Sequence, residues 1–247
     1  MLAYIFEFLY FYMKYFLTFF LVTVLFTACT HRNYKYYSRQ ATTKFQAKDY
    51  QGAIEEWSKA INLKSNNAEP YKRRGIARYE LKDFENALSD LNQATILNKY
   101  DAETYKFLGD ALMQQNNLKE AVASYTQAIT LDNEYANAYN NRGICKAKLK
   151  DHAGAVNDYT KAILFKPDYA VAYQNRANAK FRVKAYREAL EDYNKALNYD
   201  RDLPEAYFNR ALINKTLKQD QDACRDWAKA EELGVDKAGD YRKRFCK

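Results

Sequence analysis

The side chains best suited to catalysis or metal binding are few in this sequence and far apart. The chain contains two histidines, His31 and His152, and neither has partners at the spacing of a metal site or a catalytic triad. We interpret His152 as a solvated residue of a turn between helices. No glycine-rich loop that could cradle phosphate occurs either. The sequence therefore predicts a protein that is not an enzyme and that has no cofactor, no metal site and no small-molecule substrate.

The composition favours helices. Seven glycines and three prolines among 247 residues leave few residues for tight turns and strand ends, and 48% apolar with 28% charged residues is typical of amphipathic helices. The formal net charge of +8 is compatible with an anionic membrane, nucleic acid or an acidic partner. Lysine and arginine are nevertheless spread through acidic sequence, as over residues 146–151 and 186–192, and no block of five like charges occurs. This pattern favours a solvated surface of mixed charge.

The first 28 residues form an almost continuous apolar stretch that is typical of a targeting segment. Lys14 would end a short basic region, residues 15–26 form an apolar core, and Cys29 follows two small residues. Residues 25–29 resemble the lipobox of bacterial lipoproteins, with Phe26 where that family prefers a residue such as leucine. The resemblance implies that Cys29 is lipidated and becomes the first residue of the mature protein.

We therefore assign residues 1–28 to a lipoprotein-type signal peptide, with Met1 or Met13 as the true start, and residues 29–33 to a lipidated tether. The first alternative is a single spanning helix, for which about 20 apolar residues suffice. The second is ordinary secretion.

A regular period runs through the rest of the chain. Tyrosine recurs at equal intervals at Tyr37, Tyr71, Tyr105, Tyr139, Tyr173, Tyr207 and Tyr241. A small residue follows four positions later at Ala41, Gly75, Gly109, Gly143, Ala177 and Ala211. Alanine returns in two further series with the same interval, at Ala53, Ala87, Ala121, Ala155, Ala189 and Ala223, and at Ala60, Ala94, Ala128, Ala162, Ala196 and Ala230. Each period thus predicts two short helices, which bury their apolar faces only by stacking on neighbouring repeats.

These positions resemble the signature of the tetratricopeptide repeat family, in which an aromatic residue, a small residue, an alanine and a second aromatic recur at intervals of about 34 residues. The second aromatic is present at Trp57, Tyr125, Tyr159, Tyr193 and Trp227, and Leu91 is the exception. The resemblance implies an all-α, right-handed α-solenoid. We expect six helix-turn-helix repeats over residues 34–237 and a C-terminal capping helix over residues 238–247.

The register also indicates what three cysteines do. Cys145 occupies a position that alanine holds in other repeats, which predicts a buried, inert thiol. Cys224 occupies an aliphatic position, and Cys246 lies in the capping helix that should pack on the last repeat. A Cys224–Cys246 disulfide is therefore a hypothesis for an oxidising compartment. Two buried free thiols are the alternative, because sequence does not fix the Cα separation.

One correlation between repeats predicts a specific contact. Arginine precedes the small position in four repeats, at Arg74, Arg142, Arg176 and Arg210. Aspartate lies sixteen residues later in each of them, at Asp90, Asp158, Asp192 and Asp226. In the third repeat, Leu108 and Ser124 replace both. We expect an Arg–Asp pair that links the two helices of each such repeat.

The resemblance further implies a binding surface, because the first helix of each repeat in this family lines a concave groove for a partner's peptide or helix. The corresponding side chains here are Lys72, Ile76, Tyr79, Lys106, Asp110, Met113, Asn140, Asn141, Ile144, Gln174, Asn175, Asn178, Phe181, Phe208 and Asn209. Their amides suit an extended peptide backbone, and Phe181 and Phe208 suit a hydrophobic anchor. The Lys/Asn pairing that related repeats use to clamp acidic chaperone C-termini does not occur at these positions.

Together these patterns predict a protein-interaction scaffold tethered to a bacterial membrane. We expect it in the cell envelope, on the outer membrane facing the periplasm, in an assembly or secretion complex. Its partner would be a protein or peptide and not nucleic acid. A nucleic-acid-binding helical solenoid and a repeat domain on a spanning helix are the alternatives. Only residues 30–33 separate Cys29 from the first repeat, a reach of about 13 Å, so the groove would work close to the bilayer.

Overall fold

The computed structural model describes residues 33–246, and all regular structure in this range is α-helical. The chain divides into two compact units, Met1–Lys99 and Tyr100–Lys247. The described part of the first unit contains α1 (residues 33–46), α2 (Tyr50–Leu63), α3 (Ala68–Glu80) and α4 (Phe84–Leu97). The second unit contains α5 (Ala102–Gln114), α6 (Leu118–Leu131), α7 (Ala136–Lys148), α8 (His152–Phe165), α9 (Ala170–Arg182), α10 (Tyr186–Tyr199), α11 (Pro204–Thr216), α12 (Asp220–Glu232) and α13 (Asp236–Phe245). No helix within residues 33–246 is long and apolar enough to cross a membrane.

Consecutive helices form hairpins, and in the second unit these hairpins stack side by side. Each odd-numbered helix from α5 to α11 packs on the even-numbered helix that follows it, and each even-numbered helix packs on the next hairpin. The alanines of the repeat register in this unit are fully buried between the helices, as at Ala121, Ala155 and Ala189. The predicted helix-turn-helix architecture is confirmed.

Small residues let the two helices of a hairpin approach closely. A Cβ atom on Gly109 would lie 2.7 Å from a ring carbon of Tyr125, and one on Gly143 would lie 2.7 Å from the ring of Tyr159. Both tyrosines are buried. Glycine at these positions therefore leaves the space that the aromatic ring of the second helix fills.

The Arg–Asp pairs predicted from the register are confirmed. Arg142 donates from Nε and Nη2 to the two carboxylate oxygens of Asp158, at 2.9 and 2.7 Å. The other three pairs have the same two-pronged geometry, at 2.6 to 2.8 Å. The arginine also reaches the preceding hairpin, because Arg142 Nη1 donates to Thr126 Oγ1 at 3.0 Å. Each arginine therefore links three helices, where the sequence predicted two.

The recurring tyrosines support these arginines. The guanidinium carbon of Arg142 lies 5.5 Å from the ring centroid of Tyr139. Two further arginines stack in the same way and at the same distance, Arg176 on Tyr173 and Arg210 on Tyr207. Cation–π contact of this kind adds modestly to stability. The tyrosine and arginine positions of the register thus act together as one structural unit.

Each hairpin turns through a residue in the left-handed backbone conformation, where glycine or asparagine is usual. The φ angles are 61 to 68°, and the residues are Lys48, Lys82, Asn116, Lys150, Lys184 and Lys218. In two hairpins of this type the next residue, Asp49 or Asp151, caps the following helix by accepting from a backbone N–H at 2.9 Å. Lysine at this position carries a conformational cost that glycine would avoid.

We therefore expect Lys150→Gly to raise the free energy of unfolding by about 0.5 to 1 kcal/mol, the left-handed cost less the greater chain entropy of glycine. Lys148→Gly is the matched control, because Lys148 is the last residue of α7 and should lose about 1 kcal/mol. Urea-induced unfolding followed by circular dichroism measures both. Equal losses in the two variants would contradict the conformational argument.

Candidate functional site

The groove residues predicted from the register lie on odd-numbered helices, but none of the fifteen side chains is fully exposed. Five of them are buried, namely Lys72, Ile76, Asp110, Asn140 and Phe208. The other ten are half-buried. We call the face of each unit that carries these residues of the odd-numbered helices its inner wall. Most of the side chains predicted there are occupied by contacts within the protein.

A chain of polar contacts runs along this wall in the second unit. Lys106 Nζ lies 2.8 Å from Asp110 Oδ2, and Asn141 Nδ2 donates to Asp110 Oδ1 at 2.9 Å. Asn140 Nδ2 donates to Asn141 Oδ1 at 3.1 Å, and Asn175 Nδ2 donates to Asn140 Oδ1 at 3.0 Å. These contacts connect α5, α7 and α9 side by side. We call the five residues the amide ladder.

Two buried tyrosines of the even-numbered helices donate hydrogen bonds to polar side chains of the inner wall. Tyr125 donates its hydroxyl to Asp110 Oδ1 at 2.7 Å, and burial together with the Asp110 charge raises the tyrosine pKa far above its usual value. Tyr193 donates to Asn178 Oδ1, which also accepts from Asn209 Nδ2 at 3.1 Å. Both phenols remain protonated donors, so the polar groups of the wall are satisfied internally.

This arrangement corrects two sequence predictions. The amides were expected to serve an extended peptide backbone, but Asn140, Asn141 and Asn178 already hydrogen-bond to one another or to neighbouring side chains. Phe208 was expected to receive a hydrophobic anchor, but it is only 5% exposed. The capping helix covers it, with Tyr241 at 5.3 Å and the Lys237 ammonium at 4.3 Å from its ring.

Of the other predicted groove residues, some pack within the protein and some line a hollow that is open to solvent. Met113 packs against the core of the second unit, and Phe181 contacts the ring of Tyr186 at 5.7 Å. In the first unit, Lys72 pairs with Glu69 at 3.1 Å and Tyr79 packs on Phe84. Ile144, Asn175 and Asn178 are the three that line an open hollow.

This hollow lies between α7 and α9 and has a volume of about 280 Å³. Its floor is Tyr159, and its lining residues are Ile144, Ala147, Lys148, His152, Tyr159, Asn175, Asn178, Ala179 and Arg182. The lining is largely apolar, while the cations of Lys148 and Arg182 are exposed at its border. The volume falls just below the range of roughly 300 to 1,000 Å³ for small-molecule pockets, so the hollow suits one or two amino-acid side chains.

His152 makes this hollow chemically distinctive. The sequence interpretation of a solvated turn histidine is wrong, because His152 is the first residue of α8, is half-buried, and has a buried Nδ1 with no partner in the described chain. The register contains the missing signal. Tyr50, Phe84, Leu118 and Tyr186 occupy the equivalent position, with Asp220 as the exception, so a half-buried side chain was predictable there.

The first unit has a hollow at the equivalent register, between α1 and α3, with a volume of about 400 Å³. Trp57 forms its floor as Tyr159 does in the other unit, and Phe45 and Pro70 add apolar surface. Ser38 Oγ is buried there without a partner among residues 33–246. Both units thus offer an aromatic-floored hollow between odd-numbered helices.

Cys145, Cys224 and Cys246 are not among the residues that line these hollows. Cys145 is fully buried, and burial raises its thiol pKa to about 11. Cys224 and Cys246 form a disulfide with a Cα separation of 5.7 Å. Cys29 and His31 lie outside the described residues. No group of three His, Cys, Asp or Glu side chains in residues 33–246 could hold a metal ion.

The fold and the hollows define a class: helical-repeat proteins that present an inner wall to partners. A family profile described as TPR repeat matches residues 43–82, 109–150 and 184–218, and one described as tetratricopeptide repeat matches residues 136–169. Together the matches cover more than half of the chain. The protein belongs to the tetratricopeptide repeat (TPR) family.

No curated protein matches this sequence, but many solved structures do. A crystal structure of MamA is 27% identical, with a TM-score of 0.62 over 65% of this chain and 94% of MamA. Pseudomonas aeruginosa pilF is 15% identical, with a TM-score of 0.76 over 87% of this chain and 99% of pilF. YrrB, described as a TPR protein with an unusual peptide-binding site, is 19% identical, with a TM-score of 0.66 over 77% of this chain and 99% of YrrB.

Proposed function

We propose that this TPR protein is a membrane-tethered scaffold that holds a partner protein's peptide or helix along the inner wall of its odd-numbered helices. The TPR fold is one of protein-interaction scaffolds, and YrrB, which shares it, is described as having a peptide-binding site. The observation that carries the proposal is the hollow between α7 and α9, because it combines an apolar floor with the unpartnered Nδ1 of His152.

The chemistry of this hollow specifies the peptide segment. An apolar or aromatic side chain would lie on Tyr159 and Ile144, since buried anchors of this type dominate binding energy in interfaces. A hydroxyl or amide on the same segment would pair with His152. An acidic residue beside it would meet Lys148 and Arg182 at the border. The satisfied amide ladder then forms a rigid wall rather than a set of ligands for the peptide backbone.

A filled hollow tests this assignment. We expect Ala147→Trp to fill the space between α7 and α9 and to weaken capture of the partner at least tenfold, because the anchor side chain is excluded. A photo-crosslinker at Ile144, in cells, would report capture, and mass spectrometry would identify the captured protein. Ala153→Trp is the matched control, because Ala153 is exposed on the first turn of α8 and does not line the hollow.

Two outcomes would count against the hollow. One is capture that is unchanged by Ala147→Trp. The other is equal capture from a crosslinker at Leu164, a 62% exposed residue on the outer helix α8, which would place the partner on a different face.

The tether is the second part of the proposal. The apolar N-terminal segment and the lipobox-like residues 25–29 support lipidation of Cys29 and a place in the bacterial envelope, on the outer membrane facing the periplasm. Several acyl chains on one cysteine hold a protein firmly, at about 0.8 kcal/mol per buried methylene. Cys29→Ala should release the protein from the membrane fraction in a wash with high salt, which screens electrostatic contact with lipid. Retention of the variant in that fraction after the wash would instead favour a spanning helix. An envelope assembly or secretion complex is the setting that this tether suits.

A further inference from the structure

The two edges of the stacked hairpins in the second unit carry opposite charge. Every odd-numbered helix from α5 to α11 ends at a hairpin turn, and every even-numbered helix that follows ends at a loop between repeats. Because the hairpins stack side by side, the turns collect on one edge and the loops on the other. We call them the turn edge and the loop edge. The α5–α6 turn, residues 114–116, carries no cation. The basic part of the turn edge is formed by the turns at residues 148–150, 182–184 and 216–218 and by the end of the capping helix at residues 242–244.

The turn edge repeats a cation–aliphatic–cation triplet. Lys148-Leu149-Lys150 and Arg182-Val183-Lys184 are exposed, with Leu149 at 41% and Val183 at 52% exposure. The second cation of each triplet holds the left-handed turn position, and Lys218 continues the row in the next repeat. Two aliphatic side chains therefore stand in water between pairs of lysine or arginine.

The capping helix extends the same edge. Lys215, near the end of α11, lies with its ammonium 5.2 Å from the ring centroid of Phe245, which shows that α13 ends beside α11. Arg242, Lys243 and Arg244 are all exposed in this last turn. Three acidic side chains nearby are engaged: Asp151 caps α8, Asp220 pairs with Lys215 at 3.0 Å, and Glu231 pairs with Arg242 at 3.1 Å.

The loop edge has the opposite composition. Its exposed or half-exposed acids include Asp132, Glu134, Asp168, Asp200, Asp202 and Asp236, with Lys166 and Arg201 among them. The charge separation is not evident along the chain, because acidic residues follow each basic turn within a few positions. It arises because the repeat period places one sign at each edge.

We propose that the turn edge docks on an anionic lipid bilayer. Leu149 and Val183 would enter the boundary between headgroups and acyl chains, while Lys150, Lys184 and Lys218 meet lipid phosphates. This combination favours a bilayer over nucleic acid, which would engage the cations but leave both aliphatic side chains in water. The acidic loop edge is repelled by the same surface and so fixes the orientation. This inference does not depend on the groove partner.

A tryptophan reporter tests the orientation, because Trp57 and Trp227, the two native tryptophans, are buried. Leu149→Trp places a reporter on the turn edge, and Val171→Trp places its matched control in the first turn of α9, next to the loop edge, at a residue that is 42% exposed. The full chain is reconstituted in vesicles of phosphatidylcholine containing brominated lipid, with or without one third phosphatidylglycerol. Brominated lipid quenches only reporters that contact the bilayer.

We expect strong quenching of Leu149→Trp in the phosphatidylglycerol vesicles, and little quenching of Val171→Trp in either. Reversal of the three turn lysines, Lys150→Glu with Lys184→Glu and Lys218→Glu, should weaken bilayer contact on the order of a hundredfold, at about fivefold or more per lysine. The same three positions changed to arginine should retain contact. None of the three lysines lines the hollow of the proposed groove site.

Equal quenching of the two reporters would overturn the proposal. Equal quenching of Leu149→Trp in vesicles with and without phosphatidylglycerol would also overturn it. So would binding of a single-stranded oligonucleotide that depends on the three lysines while the Leu149→Trp reporter stays unquenched. That result would make the turn edge a nucleic-acid surface.

Discussion

Asp158→Ser is expected to lower the free energy of unfolding by about 3 kcal/mol, within the range for breaking a buried ion pair. The Asp158 side chain is 4% exposed and lies 2.7 Å from Arg142 and 2.9 Å from Lys146. Without it, the Arg142 guanidinium would stay in a site only 14% exposed, with a single remaining hydrogen bond to Thr126. Arg142→Leu should cost a similar amount, because it leaves the buried carboxylate with Lys146 alone.

The double variant Arg142→Leu/Asp158→Ser should cost much less than the sum of the two. The third repeat of this chain has that combination naturally, as Leu108 and Ser124, and both side chains are buried there. Ser124 satisfies its hydroxyl by donating to the Glu120 carbonyl at 3.0 Å. Removal of both charges avoids an unpaired buried ion, so we expect a net loss near 1 kcal/mol, about what one hydrogen bond contributes.

Urea-induced unfolding of the three variants measures this coupling. Arg225→Leu is the control, because it breaks an ion pair with Asp222 in which both side chains are largely exposed, and such pairs contribute roughly 0 to 1 kcal/mol. If the loss in the double variant equals the sum of the two single losses, the prediction is contradicted. Arg142 and Asp158 would then stabilise the fold independently of each other.

The Arg–Asp pairs were predictable because the period presents the same positions six times. The pair occurs in four of the six repeats, and both partners are lost together in the third, which identifies a contact within one hairpin. The first repeat has Gln40 and Glu56 at these positions. The helix-turn-helix architecture was predictable for the same reason. Periodic alanine and glycine mark each close approach, and stacking is the way such helices bury their apolar faces.

The contacts between hairpins were harder to predict. The amide ladder joins Asn141 to Asp110 and Asn175 to Asn140, pairs 31 and 35 residues apart. Which asparagine turns toward which neighbour depends on rotamers, which spacing does not encode. The groove amides were therefore expected to serve a peptide backbone, and their hydrogen bonds to one another were not predicted. The prediction that Phe208 receives a hydrophobic anchor was wrong for a related reason. A capping helix was expected, but its coverage of the inner wall was not.

The distribution of charge was the second feature that the sequence analysis did not predict. Counting along the chain gives a mixed surface, since acidic residues follow each basic turn within a few positions. The separation into a basic turn edge and an acidic loop edge appears only when equivalent positions of successive repeats are compared. The left-handed conformation of the turn lysines was not predicted either. The regular spacing of these lysines was visible in the sequence, but their backbone conformation was not.

The capping helix provides the last prediction. Reduction of the Cys224–Cys246 disulfide is expected to lower the stability of the α12–α13 pair by about 3 kcal/mol, since the bond closes a loop with a sequence separation of 22 residues. Trp227 reports the change. Its ring is fully buried, with Tyr241 at 5.4 Å and Phe245 at 5.7 Å, both on α13. Fraying of α13 would hydrate Trp227 and shift its emission to longer wavelength.

Variants separate the disulfide from the aromatic contacts. Cys246→Ser should shift the emission without added reductant, whereas Cys145→Ala, which removes a buried thiol far from the cap, should not. Phe245→Ala keeps the disulfide but removes the ring stacked on Trp227, and should cost roughly 2 to 3 kcal/mol, less than a fully buried phenylalanine because Phe245 is half-buried. Unchanged emission after reduction would mean that the aromatic contacts alone hold α13. In that case the disulfide would serve a different purpose from keeping Phe208 and the end of the inner wall covered.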